Sequence, residues 1–367
     1  MPALGNIIRG VSGPKARSFQ VFSHIPSLRR ARRHAMLAGE SVGFVPTMGA
    51  LHQGHLALIR QAVQENTHVY VSIYVNPTQF GANEDFGSYP QTLSADLKQL
   101  RSLTTEFWND DSLGQITAVF TPTTQDMYPG LKPTSEVDGH GSFVTITPLS
   151  SRLEGASRPV FFRGVATVCM KLFNIVQPDT VYFGQKDVQQ TYVIKRMVDD
   201  FHLNTQVRVV PTARENDGLA MSSRNVYLGK RRRKVAPVLV RALRAVRVGF
   251  TNGLTSREEL LSAAHSVVDE ELAKQRALPP MWRSLFEVDY FSLADREHLT
   301  ELDNVNPAHG AVLSGAIKML PVEEAQEDED LGTGDGKTTV RLIDNLRLAM
   351  PSFPRQSHSR KSSNPEL

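Results

Sequence analysis

The stretch Ser41-Val-Gly-Phe-Val-Pro-Thr-Met-Gly-Ala-Leu-His52-Gln-Gly-His55 decides how this chain folds. Residues 41–45 form a short apolar run that reads as a buried strand, and residues 56–63 read as a helix. The segment therefore predicts strand, tight glycine-containing turn, helix. A helix starting near Gly54 or His55 aims unpaired N–H groups and a positive dipole end at the turn. That mouth suits an anion, and phosphate is the usual biological one. His52 and His55, three residues apart, can sit on one side of it and donate hydrogen bonds to phosphoryl oxygens. The same spacing fits a surface pair or half a metal site, but the strand–turn–helix setting favours a nucleotide. No Gly-Lys-Ser/Thr follows the turn, so it is not a P-loop, and G-x-G-x-x-G is absent from it.

Outward from this turn the chain alternates. Strands are predicted at 19–22, 42–45, 69–75, 118–121, 180–183 and 206–210. Helices are predicted at 27–37, 55–64, 94–103, 165–176 and 188–199. Apolar strands separated by helices specify an α/β, Rossmann-like doubly wound parallel sheet with right-handed crossovers. Ligands then bind beyond the carboxyl ends of the strands. His52, Asn76 and Gly184 all follow predicted strands, so one crevice can collect them. Residues 131–160, with Phe143-Val-Thr-Ile-Thr147, read as an inserted β excursion.

After about residue 225 the character changes to a smaller α+β domain. Helices are predicted at 231–249 and 256–274, the second opened by a Ser256/Glu259 capping box. Strands are predicted at 288–293 and 339–343. Between them, residues 322–338 are acidic and then glycine-rich, which reads as a disordered loop rather than a calcium site. The expected division is a flexible basic N-terminus at 1–18, a catalytic domain at 19–224, the smaller domain at 225–350 and a disordered tail at 351–367.

Other motifs converge on the same crevice. In Val75-Asn-Pro-Thr-Gln-Phe-Gly81, Asn76-Pro77 signals a turn, and Gln79 offers both donor and acceptor at its tip. Tyr89 and Asp96 follow, Asp96 being either a helix-face carboxylate or a magnesium ligand. In Tyr182-Phe-Gly-Gln-Lys-Asp-Val-Gln-Gln190, Gly184 permits close backbone approach and Lys186 offers a point charge to phosphate. Asp187 can cap the next helix or hold a ribose hydroxyl. Met221-Ser222-Ser223-Arg224 supplies two hydroxyls and a guanidinium that can clamp a triphosphate.

The His-x-x-His turn resembles the H-x-G-H signature of the nucleotidyltransferase and class I aminoacyl-tRNA synthetase superfamily, and Met221–Arg224 resembles that superfamily's second signature. Taken in order, residues 46–55, 75–81, 182–190 and 217–224 resemble the pantothenate synthetases (pantoate–β-alanine ligases), strongly from about 19 to 230 and again at Val340-Arg-Leu-Ile-Asp-Asn345. The resemblance implies a homodimer, ATP as substrate with Mg²⁺, and small-molecule substrates pantoate and β-alanine joined through a pantoyl adenylate. It implies phosphate contacts from His52, His55, Lys186, Ser222, Ser223 and Arg224. ATP contacts extend to Met48, Gly54, Gly184, Asp187 and Met221. Pro46, Thr47, Met48, Gln79 and Gln190 would hold pantoate, Asn76, Tyr89 and Arg158 would line the site, and Asp96 matches a position linked to magnesium. Gln185 stands where bacterial relatives usually have Glu, and Phe161 where many have His. The loop near 320–338 and the tail beyond 350 resemble eukaryotic, fungal-like members. Rival readings are another adenylate-forming nucleotidyltransferase, which lacks the paired glutamines, and a catalytically silent nucleotide-binding regulator.

Composition excludes several classes. The 367 residues are 40% hydrophobic and 22% charged, an ordinary globular balance. A net charge of +3 is too small to imply nucleic acid as main partner. The basic run Lys230-Arg-Arg-Arg-Lys234 reads as a solvated helix face. Cys169 is the one cysteine, so no intrachain disulfide forms, and on an apolar helix it reads as core. No apolar run approaches about 18 residues, so no membrane partner is expected. A cytoplasmic location follows. The alternative is mitochondrial, because residues 1–39 carry seven Lys or Arg and no Asp or Glu.

Overall fold

The computed structural model describes residues 18–81, 85–108, 110, 114–129 and 141–349. Residues 1–17 of the expected flexible N-terminus, the whole expected tail at 351–367, and residues 131–140 of the excursion lie outside them.

Six parallel strands form the main sheet: β1 (Gln20–Phe22), β2 (Val42–Thr47), β3 (His68–Ile73), β4 (Gln115–Phe120), β5 (Thr180–Gly184) and β6 (Gln206–Val210), in the order β1-β4-β3-β2-β5-β6. From β2 the chain winds outward through β3 to β4, then crosses back to place β5 on the other side of β2. The sheet's switch point thus lies between β2 and β5, where a crevice opens past the strand ends.

Two cores cover the sheet's faces. On one, α1 (Ile25–Leu37), α6 (Phe161–Val176) and α7 (Val188–Asp200) pack around Phe44, Phe120, Phe173 and Ile194. On the other, α2 (Gln53–Glu65) and α3 (Leu93–Phe107) pack around Val45, Ile59, Val71 and Leu100. α6 is apolar on nearly every side because it is buried on nearly every side. Cys169 is buried within it, and burial pushes its thiol up to about 12, so it is core as expected. Two single-turn helices, α4 (Thr124–Met127) and α5 (Glu154–Ser157), join these elements.

The second layer begins with α8 (Gly229–Val235), α9 (Val238–Thr251) and α10 (Arg257–Arg276). Its sheet holds antiparallel β7 (Phe286–Ala294), β8 (Ala311–Met319) and β9 (Val340–Leu348), with β8 central. Leu239, Leu243, Leu260, Leu313 and Ile317 form its core, which already takes in Leu219.

Five expectations give way here. Phe143–Thr147 alternates like a strand but pairs with no strand among the described residues. The Val144 N–H donates to Thr167 Oγ1 and the Ile146 N–H to Ser150 Oγ, so hydroxyls replace a ladder partner. Ser256 is the N-cap of α10, yet its side chain caps nothing. The Arg257 N–H goes to the Asp303 carbonyl, and Ser256 itself bridges to Asn304. The helix expected at 231–249 is two helices, α8 and α9, meeting near Pro237. The acidic segment 322–338 is tied down by residues 230–232, so neither the disordered loop nor the solvated basic face describes it: Arg232 is 1% exposed.

Candidate active site

The turn between β2 and α2 is held from beneath. Gly49 and Ala50 both have positive φ, 86° and 49°, and orient successive backbone N–H groups the same way. Asp96, 1% exposed on the first turn of α3, accepts from the Ala50 N–H (3.0 Å) through one oxygen and the Leu51 N–H (2.8 Å) through the other. Thr92 Oγ1 donates to it as well, at 3.1 Å. Asp96 therefore braces the turn and is not among the residues lining the cleft, which favours the helix-face carboxylate of its two expected readings. Among the described residues no group of three or more His, Cys, Asp or Glu could hold a metal ion.

His52 is the N-cap of α2. Its Nδ1 accepts from the Gly54 N–H (3.1 Å), while His55 Nδ1 accepts from the His52 N–H (3.4 Å). The rings lie 4.1 Å apart. Burial, aided by Lys186, lowers His52 to about 4; burial, then His52 and Lys186, lowers His55 to about 3. Both imidazoles are thus neutral near pH 7. With each Nδ1 accepting, Nε2 carries the proton, so each ring keeps one N–H donor.

After β3, Asn76 and Gln79 are almost fully buried. Asn76 Nδ2 donates to Gln79 Oε1 (2.9 Å) and to the Gly164 carbonyl (3.2 Å), and its Oδ1 accepts from Tyr128 OH (2.7 Å). Glycine at 164 is obligatory, since a Cβ there would stand 2.4 Å from the Thr78 carbonyl oxygen and 2.5 Å from the Gln79 backbone nitrogen.

Past β5, Lys186 Nζ meets Asp187 Oδ1 at 3.2 Å. Asp187 is the N-cap of α7 by position but makes no side-chain cap. Gln190, one turn in, is half-buried. Past β6, Ser222 Oγ accepts from the Arg224 N–H (3.2 Å), Ser223 Oγ meets Tyr89 OH (3.2 Å), and the Arg224 guanidinium lies 6.0 Å over the Tyr89 ring.

These pieces meet in one cleft of about 820 Å³ at the switch point. Pro46, Thr47, Met48, His52, Gly54 and His55 line it from the first turn. Asn76, Gln79, Tyr89 and Arg158 face it from a second side, Gly184, Lys186, Asp187 and Gln190 from a third, and Met221, Ser222, Ser223 and Arg224 from a fourth. Of the expected site residues only Asp96 stands outside.

The smaller domain supplies wall that motif reading missed. Arg341 on β9 pairs with Glu154 (2.6 Å) and Asp289 (2.9 Å), Lys318 with Asp289 (2.8 Å), and Arg158 with Glu154 (3.2 Å). All five side chains line the cleft, a mixed cluster with one more positive than negative charge. The neighbouring Asp344 holds Arg214 through two bonds of 2.6 and 2.8 Å, and Asn345 Nδ2 donates to the Gln185 and Lys186 carbonyls at 2.8 Å each. The one sequence signal was the segment 340–345 itself.

Comparison with known proteins agrees with this geometry. A family model described as pantoate-beta-alanine ligase matches residues 20–347. The pantothenate synthetase of Roseiflexus castenholzii is 47% identical over 319 residues, 87% of this chain and 96% of that protein. The pantoate–beta-alanine ligase of Saccharomyces cerevisiae is 41% identical over 314 residues, 84% of this chain and 92% of that one. Among solved structures, a pantothenate synthetase from Thermus thermophilus superposes with a TM-score of 0.69 at 37% identity, covering 90% of this chain and all of that one. The Francisella tularensis ligase, solved with beta-gamma ATP and beta-alanine, gives 0.62 at 30% identity over 90% of this chain and 98% of its own. The fold, the four-sided cleft and these matches lead to one conclusion: the chain belongs to the pantoate–β-alanine ligase family.

Proposed function

We infer that the cleft joins pantoate to β-alanine at the expense of ATP, giving pantothenate, AMP and pyrophosphate. The observation that carries this is the convergence of four motifs on one cleft in a chain matched to this family over residues 20–347. In the first step a pantoate carboxylate oxygen attacks the α-phosphorus, and the bond to the β-phosphate breaks as pyrophosphate leaves with its electron pair. In the second the β-alanine amine attacks the acyl carbon, AMP leaves, and the amine loses a proton.

No side-chain nucleophile is needed, because pantoate supplies it. The protein's part is positioning and electrostatics. His52 and His55 offer neutral N–H donors, and Lys186 and Arg224 offer charge where it builds on the phosphates. Gln79, with its oxygen taken by Asn76, presents its NH₂ to the pantoate carboxylate, and Gln190 faces it. Asp187 is placed for a ribose hydroxyl. The mixed cluster of Arg341, Lys318, Arg158, Glu154 and Asp289 suits a zwitterion such as β-alanine. Mg²⁺ would be held chiefly by the ATP phosphates, whose charge it would neutralise; among the described residues no group of three or more His, Cys, Asp or Glu could hold it alone.

We propose a homodimer, as the resemblance implies, and sedimentation at micromolar concentration tests it. The single cysteine supports a reducing compartment, the cytoplasm or the alternative of the mitochondrion. Among the described residues no helix is long and apolar enough to cross a membrane. ATP–pyrophosphate exchange that requires pantoate tests the chemistry. Exchange with another acid would identify a different ligase, and no exchange with any acid would identify a silent regulator.

A further inference from the structure

The acidic segment 322–338 runs along the outside of the turn that carries Ser222, Ser223 and Arg224. It closes on itself through the Val322 N–H to the Gly336 carbonyl (2.9 Å). Its fastening is a buried ion pair. Arg231 Nε donates to Glu329 Oε1 at 2.8 Å, Arg231 Nη2 pairs with Glu329 Oε2, and the two side chains are only 10% and 8% exposed. Arg231 Nη2 also donates to the Glu324 carbonyl (2.8 Å), and Nη1 to the Pro280 carbonyl (3.0 Å). Arg232 completes the clasp: Nε donates to the Leu228 carbonyl (3.0 Å), Nη1 to the Thr338 carbonyl (2.6 Å), and Nη2 to the Tyr227 carbonyl.

The segment then touches the far end of the helical turn Ser223–Tyr227 and the residues just after it. The Thr333 N–H donates to the Val226 carbonyl (2.9 Å) and the Lys230 N–H to the Asp330 carbonyl (2.8 Å). Gly229 and Gly332 sit backbone against backbone. A Cβ on Gly229 would lie 2.4 Å from the Leu331 carbonyl carbon, and one on Gly332 would lie 2.6 Å from the Gly229 nitrogen. Past this contact, Thr333 and Gly334 line the same cleft as Ser222, Ser223 and Arg224. A passive surface loop needs no buried bidentate pair, and two buried arginines are costly unless every donor is placed.

We propose that segment 322–338 is a strap that positions the Ser222–Arg224 turn for the ATP phosphates, with Glu329 and Arg231 as the positioning residues that tension it. The proposal rests on the reading of that turn as a phosphate site. Neither Glu329 nor Arg231 lines the cleft, so both act through the turn. The segment is continuous with β9, so the strap also links the phosphate turn to the strand that carries Arg341 and Asp344.

The test is pantoate-dependent ATP–pyrophosphate exchange on the full chain, with KM measured separately for ATP and pantoate and the melting temperature recorded. Glu329→Gln keeps the shape and removes the charge that Arg231 needs. It is expected to raise the ATP KM about tenfold, the scale of one lost charged hydrogen bond, with the pantoate KM within about twofold. Glu329→Asp, which keeps the charge, should restore most of the ATP KM and stands in should the Gln variant fail to fold, in which case it should itself show a smaller rise confined to ATP. A fall in melting temperature with both KM values unchanged overturns the proposal, as does an equal rise in both. Arg224→Ala separates the two readings. If it leaves the ATP KM unchanged, the phosphate turn is misassigned. If it raises the ATP KM while the Glu329 variants do not, only the strap falls.

Discussion

The Asn76 amide donates to Gln79 Oε1 across 2.9 Å and thereby decides which end of the Gln79 amide faces the cleft. Asn76 is itself locked, donating to the Gly164 carbonyl and accepting from Tyr128 OH. Removing the partner frees Gln79 to rotate and leaves buried polar atoms unpaired, which costs about 1–3 kcal/mol per group. Asn76→Ala and Gln79→Ala should both raise the pantoate KM sharply and leave the ATP KM nearly unchanged. A rise in the ATP KM with pantoate dependence intact would place the pocket elsewhere.

His52 and His55 should matter to chemistry more than to folding. Loss of one donor aimed at developing phosphate charge raises the barrier by about 3 kcal/mol. His52→Gln and His55→Gln, which keep an N–H donor, should retain more exchange activity than the alanine variants. Equal losses would mean the rings act by shape alone.

The same rings make stability pH-dependent. Unfolded, each takes a proton near 6.5; folded, only near 4 for His52 and near 3 for His55. Between those values the unfolded chain binds more protons, so stability falls as pH drops from 6.5 toward 4. Each ring steepens that fall by about 1.4 kcal/mol per pH unit. Urea unfolding at several pH values in this window should show a shallower slope for His55→Gln than for the parent. Parallel slopes would count against the buried neutral ring.

Asp96→Asn distinguishes a brace from a metal ligand. An amide cannot accept from the Ala50 and Leu51 N–H groups with both of its ends, so the variant should melt earlier by about 1–3 kcal/mol of lost stability. The Mg²⁺ concentration for half-maximal exchange should not move. A large shift in that midpoint with unchanged melting would reinstate Asp96 at the metal.

Gly164→Ala should be among the most damaging single-methyl changes, because its Cβ would press on main-chain atoms of the Gln79 turn that cannot step aside. Lost pantoate binding and a lower melting temperature are expected together. Normal pantoate KM in a stable variant would contradict the close approach.

The sheet was legible because its signals are local. Each strand is a short apolar run bounded by turn residues, and the strand at 206–210 emerges with the bounds read from sequence. The four motifs were legible because each sits where a strand hands over to a turn. What stayed hidden depends on partners distant in sequence. β8, Ala311–Met319, carries Ser314, Gly315 and Ala316 in its middle, poor strand formers alone, and is a strand because β7 and β9 flank it. Asp96 looked like a free carboxylate because the N–H groups that occupy it lie 46 and 45 residues earlier. The basic run 230–234 looked solvated because its acidic counterpart begins about 90 residues later. Arg341 and Asp344 face the cleft only because the two layers dock.

That docking sets an order on how the enzyme comes into being. All six parallel strands are complete by Val210, so a nascent chain can build the sheet and present both histidines while the ribosome is still working. Yet the wall holding Asp344, and the Asn345 amide that grips the Lys186 turn, belong to β9, more than a hundred residues later. Until β9 has left the exit tunnel and closed against β8, the emerging protein holds an open half-site. The last described strand is thus also the last part of the cleft wall that synthesis supplies.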